Sequence, residues 1–89
     1  MTTLEVLVAA RALIDTPDKW CQGSYEDYRY RHCTRGALWA IDQNDVLACR
    51  ALYVAMPPPN DGLTTYNDTH SHAEVMALFD RAIAAQEGR

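Results

Sequence analysis

Ser71 and Glu74 stand in the spacing of a capping box, and the residues after them become apolar with a helical period. The serine hydroxyl can accept the N–H three residues on, and the glutamate carboxylate can reach back to the serine N–H. Two of the donors that a helix leaves unpaired at its start are satisfied in this way. Val75, Leu78, Phe79, Ala82 and Ile83 then recur on one face, which predicts a helix over 72–85 with its apolar stripe turned inward. Asn67-Asp68 ahead of the cap reads as an Asx-type turn that shapes entry to this helix. His70 and His72 fall at its positive end.

The same logic locates three more helices. Thr2 and Glu5 form a second capping-box pair, and Leu4, Val6, Leu7, Val8, Ala10, Leu13 and Ile14 cover more than half of the circumference that follows. A helix over 3–15 is predicted, in contact with several neighbours and stopped by Pro17. Cys33-Thr34-Arg35-Gly36-Ala37-Leu38 opens a short helix over 34–42, whose Gly36-Ala37 pair suits close approach by another segment. Asn44 is the expected cap of a helix over 45–56, with Leu47, Ala48, Ala51, Leu52, Val54 and Ala55 inward. Pro57-Pro58-Pro59 ends that helix, and Asn60-Asp61-Gly62 supplies a turn. Between the first two helices Trp20 is expected as an apolar plug. Tyr28 and Tyr30 alternate with Arg29 and Arg31 in a strand-like period, which predicts a short extended arm near residues 25–32.

The expectation is therefore an all-α fold, a compact bundle of about four helices in a single domain over residues 1–89. With 89 residues and 48% hydrophobic content the chain can build one core, and neither side of the proline run could build a second. The formal net charge of −4 argues against direct nucleic-acid binding, which needs excess Lys and Arg to displace counterions. It suits a basic protein partner better. Charge is also uneven: residues 29–35 hold three arginines and no acid, a local +3, whereas residues 36–80 hold one arginine against six acids, a local −5. No apolar run approaches the roughly 20 residues that span a bilayer, and no leader pattern opens the chain, so a cytoplasmic protein without membrane contact is expected. Cys21, Cys33 and Cys49 are an odd set without CxxC spacing, in keeping with reduced thiols.

These residues offer three kinds of chemistry. Cys33 at a helix start, with His72 as base and Asn67 as orienter, composes a Cys-His-Asn set for a small hydrolase or transferase. No catalytic signature surrounds Cys33, and non-enzymatic action is expected ahead of it. Cys21, His32, Cys33, His70 and His72 are soft metal donors, but their spacing matches no zinc module, so neither a metal nor a cofactor is expected. His32 beside two arginines reads as part of a basic surface patch. The expected binding residues are the acids Asp42, Asp45, Asp61, Asp68, Glu26 and Asp27 together with Tyr28 and Tyr30, since tyrosine and charge recur at interaction hot spots.

The segments Ala10-Arg11-Ala12-Leu13-Ile14, Trp20-Cys21-Gln22-Gly23, Cys33-Thr34-Arg35-Gly36-Ala37-Leu38 and Tyr66-Asn67-Asp68 through Ala82 resemble an uncharacterised family of short bacterial proteins. Its pattern is W-x-Q-G, C-x-x-G-A and W-N-D…T-H-x-E-V. This chain has Tyr66 in place of the pattern's tryptophan and Ser71 in place of its threonine. The resemblance implies a compact, mostly helical fold and no particular activity. In size and acidity the chain also resembles phage and mobile-element inhibitors of the anti-CRISPR type. That likeness implies an inhibitor that binds a host protein complex, such as a CRISPR effector, and blocks its nucleic-acid-binding surface.

Overall fold

The computed structural model describes residues 1–44 and 46–88. Five α-helices follow in order: α1 (Thr3–Leu13), α2 (Thr34–Ile41), α3 (Val46–Ala55), α4 (Leu63–Thr69) and α5 (His72–Glu87), with a single 3₁₀ turn at Pro17–Lys19 after α1. Both capping boxes form. Thr2 accepts from Glu5 N and Glu5 accepts from Thr2 N, and Ser71 and Glu74 do the same at the start of α5. α1 ends two residues before the predicted Asp15, and Pro17 then occupies the first position of the 3₁₀ turn, where its missing N–H costs nothing.

α1 lies at the centre, against α2, α3 and α5, and buries Val6, Leu7, Ala10 and Ile14 completely. α5 contributes Val75, Leu78 and Phe79, and α3 contributes Ala48 and Leu52 to the same core. Each of the larger side chains gains roughly 1.5–3 kcal/mol from leaving water. Arg11 on α1 meets Asp80 on α5 at 2.8 Å, but both are partly exposed, so the pair adds little to the apolar contact beneath it.

Four sequence expectations are corrected. Among the described residues the helix count is five, because residues 63–69, expected as a connector and an Asx turn, form α4. Gly62 opens it with a φ of 101°, a conformation that glycine alone adopts readily, and no side chain caps it. Leu63 and Tyr66 face the core, so burial holds a segment whose threonines, asparagine and aspartate have poor helix propensity. Second, the extended arm at 25–32 is a closed loop: among the described residues it holds isolated bridges, Trp20 with His32 and Glu26 with His32, and no strand. Third, Leu47 and Val54 on α3 face outward, 64% and 70% exposed. Fourth, Trp20 packs against the core as an apolar side chain but is only half-buried, and its indole N–H also makes a hydrogen bond to Asn67. The helix expected over 45–56 is described from Val46, and Asp45 lies outside the described residues.

The Gly36-Ala37 expectation takes a definite form. The backbone of Tyr25 crosses α2 at Gly36, where an added Cβ would lie 2.7 Å from the Tyr25 carbonyl carbon and overlap its oxygen. The same carbonyl accepts Cys33 N at 3.2 Å. The loop between Trp20 and Cys33 is therefore pressed onto the start of α2, and only a glycine permits it.

Candidate functional site

One buried side chain fixes the base of this loop. Asn67, on α4 and fully buried, accepts from Trp20 Nε1 at 2.7 Å, Thr34 N at 2.9 Å and Thr34 Oγ1 at 2.8 Å, all on Oδ1. Its Nδ2 donates to the Cys21 carbonyl at 3.0 Å and to Asp68 Oδ1 at 3.1 Å. A buried amide with both its ends satisfied ties three separated segments together, since the Trp20 indole N–H, the Thr34 N–H and the Cys21 carbonyl all bond to it. Neighbours extend the anchorage. Gln22 Nε2 donates to the carbonyls of Asn67 and His70, and Asp68 Oδ1 accepts from Gly23 N.

Above this base the chain turns back through a tight hairpin at residues 26–32. Asp27 N donates to the Arg31 carbonyl and Tyr30 N donates to the Asp27 carbonyl. The Asp27 carboxylate takes in Arg29 N at 3.0 Å, Arg31 N at 2.9 Å and Arg31 Nε at 2.6 Å, with only 13% of its side chain exposed. Burial pushes the Asp27 carboxyl up, but hydrogen bonds from Arg31 and Arg29 and the Arg31 charge outweigh it, and its pKa is held below the ordinary 3.8. Tyr30 takes a φ of 62°, the left-handed position that follows a type I turn in three-residue hairpins and that glycine usually fills. A tyrosine there is locally strained. Tyr30 is 80% exposed, Tyr28 is 84% exposed, and the Arg29 guanidinium lies 5.6 Å from the Tyr28 ring centre.

The expected binding residues are thus partly gathered. Glu26, Asp27, Tyr28 and Tyr30 share the hairpin, where Asp27 points inward as a brace and Glu26 meets His32 at 3.2 Å. Asp68 is engaged at the hairpin's base. Asp42 follows α2 and accepts Asn44 N, and Asp61 lies on the loop before α4. Asp45 lies outside the described residues. His32, expected at the surface, is half-buried beside Glu26.

The residues of the Cys-His-Asn set have separate partners. Cys33 is 2% exposed and caps α2, its Sγ accepting Gly36 N at 3.3 Å. His72 Nε2 meets the Ile14 carbonyl at 2.7 Å, and its ring packs against Trp20. His70 stacks on Tyr66 with ring centres 3.8 Å apart. No hydrogen bond among the described residues joins Cys33 to a histidine. Cys21 is also buried; desolvation and then the Asp27 charge push its thiol pKa up. Among the described residues no group of three or more His, Cys, Asp or Glu is arranged to hold a metal, and no helix is long and apolar enough to cross a membrane.

Sequence reasoning found the exposed tyrosines from their alternation with arginine. It missed Asn67 as the hub and Gln22 as its support, because their partners lie about 45 residues away and carry no local signal.

Fold and site together define a compact all-α fold that holds an aromatic hairpin out from a hydrogen-bonded base. The chain belongs to DUF6197, a family of unknown function, whose model matches residues 1–85. This agrees with the resemblance to an uncharacterised family of short proteins. No curated protein and no solved structure matches the chain.

Proposed function

We propose that this chain is a small non-enzymatic interaction protein whose contact surface is the hairpin tip Tyr28-Arg29-Tyr30. The observation that carries the reading is Tyr30, a strained residue that stands at a position suited to glycine and is largely exposed to solvent. Tyrosine supplies large contact area with few rotors, arginine supplies a planar guanidinium with five N–H donors, and both are among the residues most often found at hot spots. The Asp27 brace and the Asn67 hub order the loop before any partner arrives, which reduces the entropy lost on binding.

Within this class we favour an inhibitor of the anti-CRISPR type, one that occupies the nucleic-acid-binding surface of a host complex. Its support is the small size and the formal charge of −4. Asp61, exposed and without a hydrogen bond or ion pair among the described residues, is the acid best placed to face a basic partner, whereas Asp27, Asp42 and Asp68 already serve the fold.

The test is affinity capture from host lysate at low salt, run in parallel with wild type and the Tyr28→Ala/Tyr30→Ala variant after circular dichroism has shown equal helicity. A protein retained by wild type and lost by the variant supports the proposal. Identical retained sets, or none, overturn it. The inhibitor reading is tested separately, by whether the protein releases target DNA from a purified CRISPR effector of the same host.

A further inference from the structure

α3 is apolar on both sides. Ala48 and Leu52 are buried on its inner face, while Val46, Leu47, Tyr53 and Val54 stand on the outer one, exposed by 75%, 64%, 48% and 70%. A surface helix of a small domain normally shows one apolar stripe, and a second one marks a face that something else covers. Leu47 and Val54 are seven residues apart, two turns along one line of the helix, and they line a groove of about 630 Å³ between α3 and α5. On the α5 side Ala82 and Ala85 leave room between the two ridges.

The groove carries two charged side chains, Arg50 and Arg81, and no carboxylate. Neither guanidinium has a hydrogen-bond or ion-pair partner among the described residues. In a chain with a net charge of −4, an apolar groove flanked only by arginines departs from the general field of the molecule.

We propose that this groove binds an acidic amphipathic helix of a partner protein. Apolar residues at i, i+4 and i+7 of that helix seat against Leu47 and Val54, and Asp or Glu residues on its flanks meet Arg50 and Arg81. The charge excludes a second copy of the same face, which would set arginine against arginine. The shape disfavours a lipid surface, which lies against a projecting face and does not enter a channel between two helices. The inference is independent of the hairpin.

The experiment displays helix-forming peptides of about 16 residues, roughly 24 Å of helix at 1.5 Å per residue. Apolar anchors are fixed at i, i+4, i+7 and i+11, all other positions are randomised, and the pool is selected against the full chain. The expected winners carry Asp or Glu beside the anchors. Fluorescence anisotropy should show them bound at least about tenfold more weakly by Val54→Asp and by Arg50→Glu/Arg81→Glu. Selection against the charge-reversed variant should instead return Lys and Arg, and Tyr28→Ala/Tyr30→Ala should bind the winners as wild type does. All of the substituted groove residues are exposed, so the variants fold, which circular dichroism checks. The proposal is overturned by no enrichment, by winners with basic flanks, or by binding that Val54→Asp leaves intact. It is equally overturned if Val54→Asp abolishes binding to vesicles of phosphatidylcholine and phosphatidylglycerol, or abolishes a dimer seen by sedimentation.

Discussion

Trp20 Nε1 donates to Asn67 Oδ1 at 2.7 Å, joining the start of the long loop to the fourth helix across 47 residues of sequence. The same oxygen also holds Thr34 by its backbone and its hydroxyl, so one amide sets the spacing between loop, α2 and α4. Removing it leaves Trp20, Thr34 and the Cys21 carbonyl without partners in a buried place. We expect Asn67→Ala to lose about 3–5 kcal/mol of stability, read from urea unfolding. A loss below about 1 kcal/mol, the net worth of a single ordinary hydrogen bond, would contradict the hub.

Gly36 gives a prediction whose sign decides between two effects. On helix propensity alone, Gly36→Ala gains about 1 kcal/mol. The overlap with the Tyr25 carbonyl opposes this, and a forced backbone shift typically costs about 1–3 kcal/mol. We expect a lower thermal midpoint, with the new disorder confined to residues 21–32 in amide exchange. A raised midpoint would mean that Tyr25 does not press on the helix.

Acid should loosen the hairpin in a defined window. The Asp27 carboxyl sits below 3.8 when folded, and Glu5 and Glu74, held by hydrogen bonds from Thr2 and Ser71, sit below their ordinary 4.5. A folded pKa below the unfolded one means that the unfolded chain binds more protons. The stabilisation is therefore full above the ordinary carboxylate values and is lost as pH falls through the folded ones. Thermal melts should be level from neutrality down to about pH 5 and drop below about pH 4. Asp27→Asn should melt lower than wild type at pH 7, with the gap closing in acid. A gap that stays constant with pH would remove the carboxylate from the account.

Thiol labelling separates the structural reading of Cys33 from the catalytic one. Cys21 and Cys33 are buried and Cys49 is only half-buried. With a chromogenic disulfide reagent near neutral pH, we expect one thiol to react promptly, to be lost in Cys49→Ser, and the other two to react only at the rate of unfolding. Prompt reaction at Cys33 would reopen the Cys-His-Asn reading.

Local chemistry was legible in the sequence, and tertiary chemistry was not. Thr2 with Glu5 and Ser71 with Glu74 announce helix starts because a cap is made within four residues. α4 is hidden because Thr64, Thr65, Asn67 and Asp68 favour turns by themselves, and it is the burial of Leu63 and Tyr66 with the bonds of Asn67 that makes the segment helical. The hairpin is hidden for the opposite reason: its left-handed corner holds Tyr30 where a glycine would have signalled a turn. On α3, period alone does not tell which of two apolar faces is inside, and Leu47 and Val54 belong to the outer one.

The central claim is that the hairpin tip meets a partner. It is tested most directly by placing the photoreactive residue p-benzoylphenylalanine at position 28 or 30, with exposed Ala12 on α1 as the control position, and irradiating the native host cells. The account predicts a discrete crosslinked adduct from positions 28 and 30 that is absent from position 12. No adduct from the tip, or the same adducts from all three positions, would contradict it.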